Sequence, residues 1–148
     1  MLRRWLRYLP AGILLAAVVL ALVWLARPRS FGEVISLEPA AEYSILATDT
    51  GETWEAWPSQ AEMESLLELL REGTLRLDGR SRSLAWGTEE TMYRLYFYDE
   101  AGLPEDFYLC TDGTVHIWHE RLDFVHYQLN GCDMAALEAE LSRLLGMV

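Results

Sequence analysis

Residues 8–26 carry only apolar, small or interfacial side chains and no charge, an unbroken run of nineteen positions. A helix there can lie in hydrocarbon without stranding an ionised group, and at about 1.5 Å per residue it spans about 28 Å, close to the roughly 30 Å apolar thickness of a bilayer. Beyond Arg29 the pattern breaks into short amphipathic periods. Ser59-Gln60-Ala61-Glu62 has the form of a capping box, and Met63, Leu66, Leu67 and Leu70 follow as one stripe with Glu62, Glu64, Glu68 and Arg71 on the wet side. A helix is predicted there, ending at Gly73. Asp133 caps a second, in which Leu137, Leu141, Leu144 and Leu145 share a face before Gly146.

Between the two helices the period changes from helical to alternating. Runs rich in Tyr, Phe, Val and Trp at 92–99, 106–111, 114–120 and 124–129 predict antiparallel strands. Asp112-Gly113 between the second and third predicts a two-residue hairpin turn. With Thr111 opposite Thr114, Leu109 would face His116, Tyr108 would face Ile117 and Phe107 would face Trp118. Further short strands are expected at 34–37, 43–48, 73–77 and 83–86, with Asp49-Thr50-Gly51 and Asp78-Gly79 as turns. The fold class is α+β: one N-terminal transmembrane helix, then a small domain in which an antiparallel sheet of about five to seven strands carries two helices on one face. The divisions are a basic tail at 1–7, the span at 8–26, a short juxtamembrane linker or edge strand at 27–39, and one domain at 40–148.

Charge sharpens this picture. All 23 acidic residues follow Arg29, together with seven of the twelve basic ones, all arginine, so the chain from Ser30 onward has a formal charge of −16. Such a domain is repelled by nucleic acid, by anionic lipid and by anionic wall polymer, so electrostatic attachment of the domain to those polyanions is not expected. Around the span, Arg3, Arg4, Arg7 and the terminal amine outweigh Arg27 and Arg29, and Trp5, Tyr8 and Trp24 stand at interfacial depth. The amino terminus is therefore expected in the cytoplasm and the domain outside it. Signal cleavage after Ala26 would place bulky Trp24 at a position that favours small residues, so the segment reads as an uncleaved signal anchor.

No catalytic, cofactor or metal signature stands out. Cys110, at a strand end, and Cys132, before the last helix, could be joined in an oxidising compartment, which would stabilise by roughly 3 kcal/mol in the chain-entropy model; two free buried thiols fit the spacing equally. His116, His119 and His126 with Glu120 lack metal spacing, because alternate strand positions send His116 and His119 to opposite faces. The acids around Gly51 and around Gly102-Leu103-Pro104 follow no calcium-loop order. Ser81 and Ser83 lack a glycine elbow. Trp54, Trp57, Trp86 and Trp118 are the candidate recognition residues, since aromatic side chains anchor interfaces, although each could equally be core; Trp54 and Trp57 could also staple the entry to the first helix.

The basic start at Arg3–Arg7, the apolar run to Ala26, the capped helix from Ser59 to Leu70, Thr111-Asp112-Gly113-Thr114 and the Asp133–Leu145 helix together resemble a group of small proteins of Gram-positive, clostridia-like bacteria: uncharacterised, single-pass, membrane-anchored and extracytoplasmic. The resemblance implies an extracytoplasmic α+β domain and transfers no functional residue. The expected function is a membrane-tethered binding or interaction module, with the bilayer as partner through 8–26 and a protein partner at the cell envelope. Two alternatives stand beside it: an envelope hydrolase with an unrecognised site, and a small regulator acting through its membrane helix, where Gly12 and Ala16 give a small-xxx-small spacing.

Overall fold

The computed structural model describes residues 8–82, 84 and 90–147. Helix α1 (Leu9–Ala26) has Pro10 in its first turn and no buried residue along its length. It is the one helix among the described residues long and apolar enough to cross a membrane. The rest is α+β: β1 (Arg29–Ser30), α2 (Phe31–Val34), β2 (Glu42–Asp49), β3 (Glu52–Ala56), α3 (Gln60–Glu72), β4 (Thr74–Ser81), β5 (Met92–Tyr98), β6 (Pro104–Cys110), β7 (Thr114–His119), β8 (Asp123–Asn130) and α4 (Met134–Leu145). Among the described residues eight strands form one sheet in the order β1-β4-β8-β7-β6-β5-β2-β3, with every neighbouring pair antiparallel.

Alternation sorts the side chains onto two faces. Tyr43, Ile45 and Ala47 of β2, Tyr93, Leu95 and Phe97 of β5, Phe107 and Leu109 of β6, Val115 of β7 and Leu129 of β8 meet the stripes Met63-Leu66-Leu67-Leu70 of α3 and Leu137-Leu141-Leu145 of α4 in one core. Both long helices thus cover the same face. The Ser59 hydroxyl accepts from the Glu62 amide at 3.4 Å, while Glu62 accepts from the Ser59 amide at 2.7 Å, the reciprocal box expected from the sequence. Asp133 caps α4 through the Ala136 amide at 3.1 Å, and Gly146 closes it at φ 66°. Gly73 follows α3 with φ −78°, so its lack of a side chain serves packing: a Cβ there would meet Leu129 Cδ1 at 2.6 Å.

Several expectations need correction. The sheet has eight strands, more than the five to seven predicted. One excess strand is β3, because Glu52–Ala56 pairs with β2 through a turn at Thr50 and Gly51, both at positive φ, where the acidic residues suggested only loop. Another is the two-residue β1 on β4. The 34–37 strand does not form: Ser30 and Glu33 build a capping box that nucleates one helical turn, and Phe31, Ile35 and Leu37 are buried. The 27–39 segment is therefore core as well as linker. The strand expected at 83–86 lies outside the described residues except for Leu84.

The β6–β7 register is also displaced by one residue. Tyr108 pairs with His116 and Leu109 with Val115. The connection is a three-residue loop, Thr111-Asp112-Gly113, in which the Gly113 amide donates to the Cys110 carbonyl at 3.0 Å and Gly113 takes φ 84°. A one-residue slip reverses which faces meet. Here it brings Leu109 and Val115 together in the core and leaves His116 beside Tyr108 on the far face.

Candidate functional site: the open sheet face

The face turned away from α3 and α4 carries Leu46 of β2, Met92, Arg94, Tyr96 and Tyr98 of β5, Asp106, Tyr108 and Cys110 of β6, His116 and Trp118 of β7, and Phe124 and His126 of β8. Its centre is a ladder of rings built on the alternating Arg94-Tyr96-Tyr98 series. Trp57, just past β3, stacks on Tyr98 at 5.9 Å between centroids, and Tyr98 on Tyr96 at 5.9 Å. The Arg94 guanidinium lies 4.5 Å from the Tyr96 ring and 4.8 Å from that of Tyr108, whose edge contact with Phe124 at 6.1 Å extends the series onto β8. Arg94 Nε donates to Asp106 Oδ2 at 2.6 Å. Burial works against the Arg94 charge, but the hydrogen bond to Asp106 and its carboxylate outweigh it and hold the pKa above the ordinary value.

The Tyr96, Tyr98 and Tyr108 rings are half-buried, while Trp57 and Trp118 are 55% and 56% exposed. Burial raises the Tyr96 and Tyr108 phenols, so both remain protonated donors at neutral pH. A small hollow of about 110 Å³ opens between Leu46, Thr48, Met92, Arg94 and Tyr108.

Beside the ladder the rings of His116 and His126 meet edge to face at 4.4 Å, and Ser81 Oγ lies 2.8 Å from His126 Nε2. His116 is 5% exposed, and among the described residues its Nδ1 has no hydrogen-bond partner. Burial first, and then His126, lowers its pKa. His119 lies across the sheet and exposed, as alternation predicts. Ligand atoms of Glu90, Cys110 and Asp112 lie within 4.8 Å of one another. Burial, followed by Asp112 and Glu90, pushes the Cys110 thiol up to about 12, so a cation there would have to displace a proton.

The candidate residues singled out in the sequence divide as follows. Trp57 and Trp118 stand exposed, Trp54 packs against the core from β3, and Trp86 lies outside the described residues. The bridge that the spacing permits between Cys110 and Cys132 is not formed: both are free thiols. Cys110 points from the open face, whereas Cys132 packs against the helix-side core. Arg94, Tyr96 and Tyr98 carry no motif in the sequence, although their i, i+2, i+4 spacing already places them on one face, and Asp106 stands out there only among the acids around Gly102-Leu103-Pro104. The Arg94–Asp106 pairing depends on the strand register and had no local signal.

No family model, curated protein or solved structure matches the chain.

Proposed function

We propose that this protein is a membrane-tethered interaction module, anchored by α1 with its amino terminus in the cytoplasm, that presents the open sheet face to a protein partner at the cell envelope. The observation that carries this reading is a sheet with both long helices on one side and, on the other, an aromatic ladder flanked by Trp57 and Trp118, each more than half exposed. Such rings supply large rigid contact area at low entropic cost, as interface anchors do. Support for the anchor is that no residue of α1 is buried. Its ten Leu, Ile and Val residues are worth about −3 to −6 kcal/mol on the insertion scale, so water is a poor solvent for them. The excess of arginine before the span supports the orientation.

The test is site-specific photo-crosslinking of the full chain in its native membrane. A photoreactive residue at position 98 should capture one discrete protein, and capture should fall when Trp57 and Tyr96 are replaced by alanine. Equal capture from position 98 and from Glu68, which is exposed on α3, would remove the reading. Protease added to intact cells should degrade the domain, and protection until lysis would reverse the proposed topology.

A second reading, an envelope hydrolase, draws on the 2.8 Å contact of Ser81 with His126, a nucleophile and base within reach of each other. It requires covalent labelling of Ser81 by a fluorophosphonate probe. No labelling would end it.

A further inference from the structure

The core face of the sheet does not stop where α3 and α4 stop covering it. Along β4 and β8 it continues as Leu77, Val125 and Tyr127, in register Leu75↔Leu129 and Leu77↔Tyr127. The last turn of α1 stands beside this uncovered strip and contacts β4. Between them is a cleft of about 290 Å³ lined by Leu25, Arg27, Arg29, Leu75, Leu77, His119, Leu122, Val125 and Tyr127. Leu77 and Leu122 remain 40% and 43% exposed at its mouth. The cleft is apolar on the sheet side and cationic on the other: the guanidinium carbons of Arg27 and Arg29 lie 5.2 and 4.8 Å from the centre of the Trp24 ring. Arg27 approaches Glu33 no closer than 3.8 Å, with both side chains nearly half exposed.

We infer that this cleft is a lipid site: it takes one phospholipid of the surrounding leaflet, with the phosphate on Arg27 and Arg29 and an acyl chain along Leu77, Leu122, Val125 and Tyr127. The inference rests on the proposal that α1 spans the bilayer. Granted that, the cleft is continuous with the bilayer. The cleft opens where the span ends, at the depth where Trp rings and arginines stand among headgroups, and Leu25 belongs both to the span and to the cleft wall. Two arginines at a membrane surface draw a phosphate. The apolar strip would otherwise meet water at the one edge of the domain closest to hydrocarbon.

The experiment uses the full chain in nanodiscs of phosphatidylglycerol and phosphatidylcholine containing a phosphatidylglycerol analogue with a diazirine near the end of one acyl chain. After irradiation, adducts are mapped by mass spectrometry. Adducts are expected on two regions, within α1 and on the segments holding Leu77 and Leu122–Tyr127. Replacing Arg27 and Arg29 together by glutamine should lower the domain adducts by roughly fivefold or more while those on α1 persist. Leu77→Asn with Leu122→Asn, both at exposed positions, should do the same without changing the urea-unfolding midpoint. Adducts on α1 with none on the domain would overturn the cleft inference and leave the anchor standing; no adduct on α1 would overturn the anchor itself. Chain-to-chain crosslinking from a photoreactive residue at 122 would assign the cleft to a second copy and overturn the lipid site.

Discussion

Arg94 of β5 reaches diagonally across the sheet to Asp106 of β6, Nε to Oδ2 at 2.6 Å, while its guanidinium lies against the rings of Tyr96 and Tyr108. The pair is partly shielded, with about a third of the Arg94 side chain and a quarter of that of Asp106 exposed. Such a contact is less screened than a solvated ion pair, and partial burial raises the cost of removing one partner alone. Arg94→Ala should therefore destabilise the domain by about 1–2 kcal/mol, from two cation–π contacts and one charge-assisted bond. Urea unfolding of the full chain in detergent micelles measures it. Asp106→Asn should cost less, because the rings still hold the guanidinium; equal losses would show that the carboxylate alone positions Arg94.

His116 predicts a pH dependence whose sign is fixed by its burial. Burial and His126 lower its native pKa below the ordinary 6.5, with Asp112 pulling more weakly the other way. At pH values above the unfolded pKa both states are neutral, and the group adds no pH dependence. As pH falls below it, the unfolded chain takes up a proton that the native fold resists, and stability declines until the native pKa has been passed. The unfolding midpoint of the wild type should thus drop more between about pH 7.5 and pH 5.5 than that of His116→Gln, since the other titrating groups are common to both. Parallel profiles for the two proteins would refute this.

Gly113 sits at φ 84°, and a Cβ there would meet Gln128 Nε2 at 2.8 Å and the Leu129 carbonyl oxygen at 3.4 Å. Gln128 Nε2 also donates to the Asp112 carbonyl at 3.1 Å, so moving it aside breaks a loop contact. Gly113→Ala should cost about 1–2 kcal/mol from the left-handed backbone alone, visible as a lower midpoint with an unchanged slope. Gly102, also at positive φ but with open space around it, is the control that isolates the steric part.

The two thiols should behave as free and unequal. Cys110 is buried and its pKa is pushed up to about 12, while Cys132, half-buried, is raised by burial first and by Glu72 and Asp133 after it. Iodoacetamide at mildly alkaline pH should modify Cys132 before Cys110 in the native protein, and both once urea is added. Recovery of a peptide linking 110 to 132 from unreduced protein would contradict the arrangement of the two faces.

What was legible in the sequence is what depends on neighbours along the chain. The uncharged run before Arg27, the box at Ser59-Glu62, the cap at Asp133, the stripes of α3 and α4 and the alternation of β5 to β8 are local patterns, set by helical and strand periods. They suffice for the α+β class and for two helices on one face. The tertiary structure decided what depends on distant partners. Glu52–Ala56 became a strand because β2 offered it an edge, and Phe31, Ile35 and Leu37 were drawn inward because the core had room for them beside Phe107, 5.2 Å from Phe31 between ring centres. The three-residue loop before Thr114 moved His116 to the open face, and the order β1-β4-β8 set an apolar strip beside the end of α1. Register and sheet order are choices among pairings of similar local propensity, settled by burial summed over the whole domain. For that reason the open ring face and the cleft could be recognised only after folding.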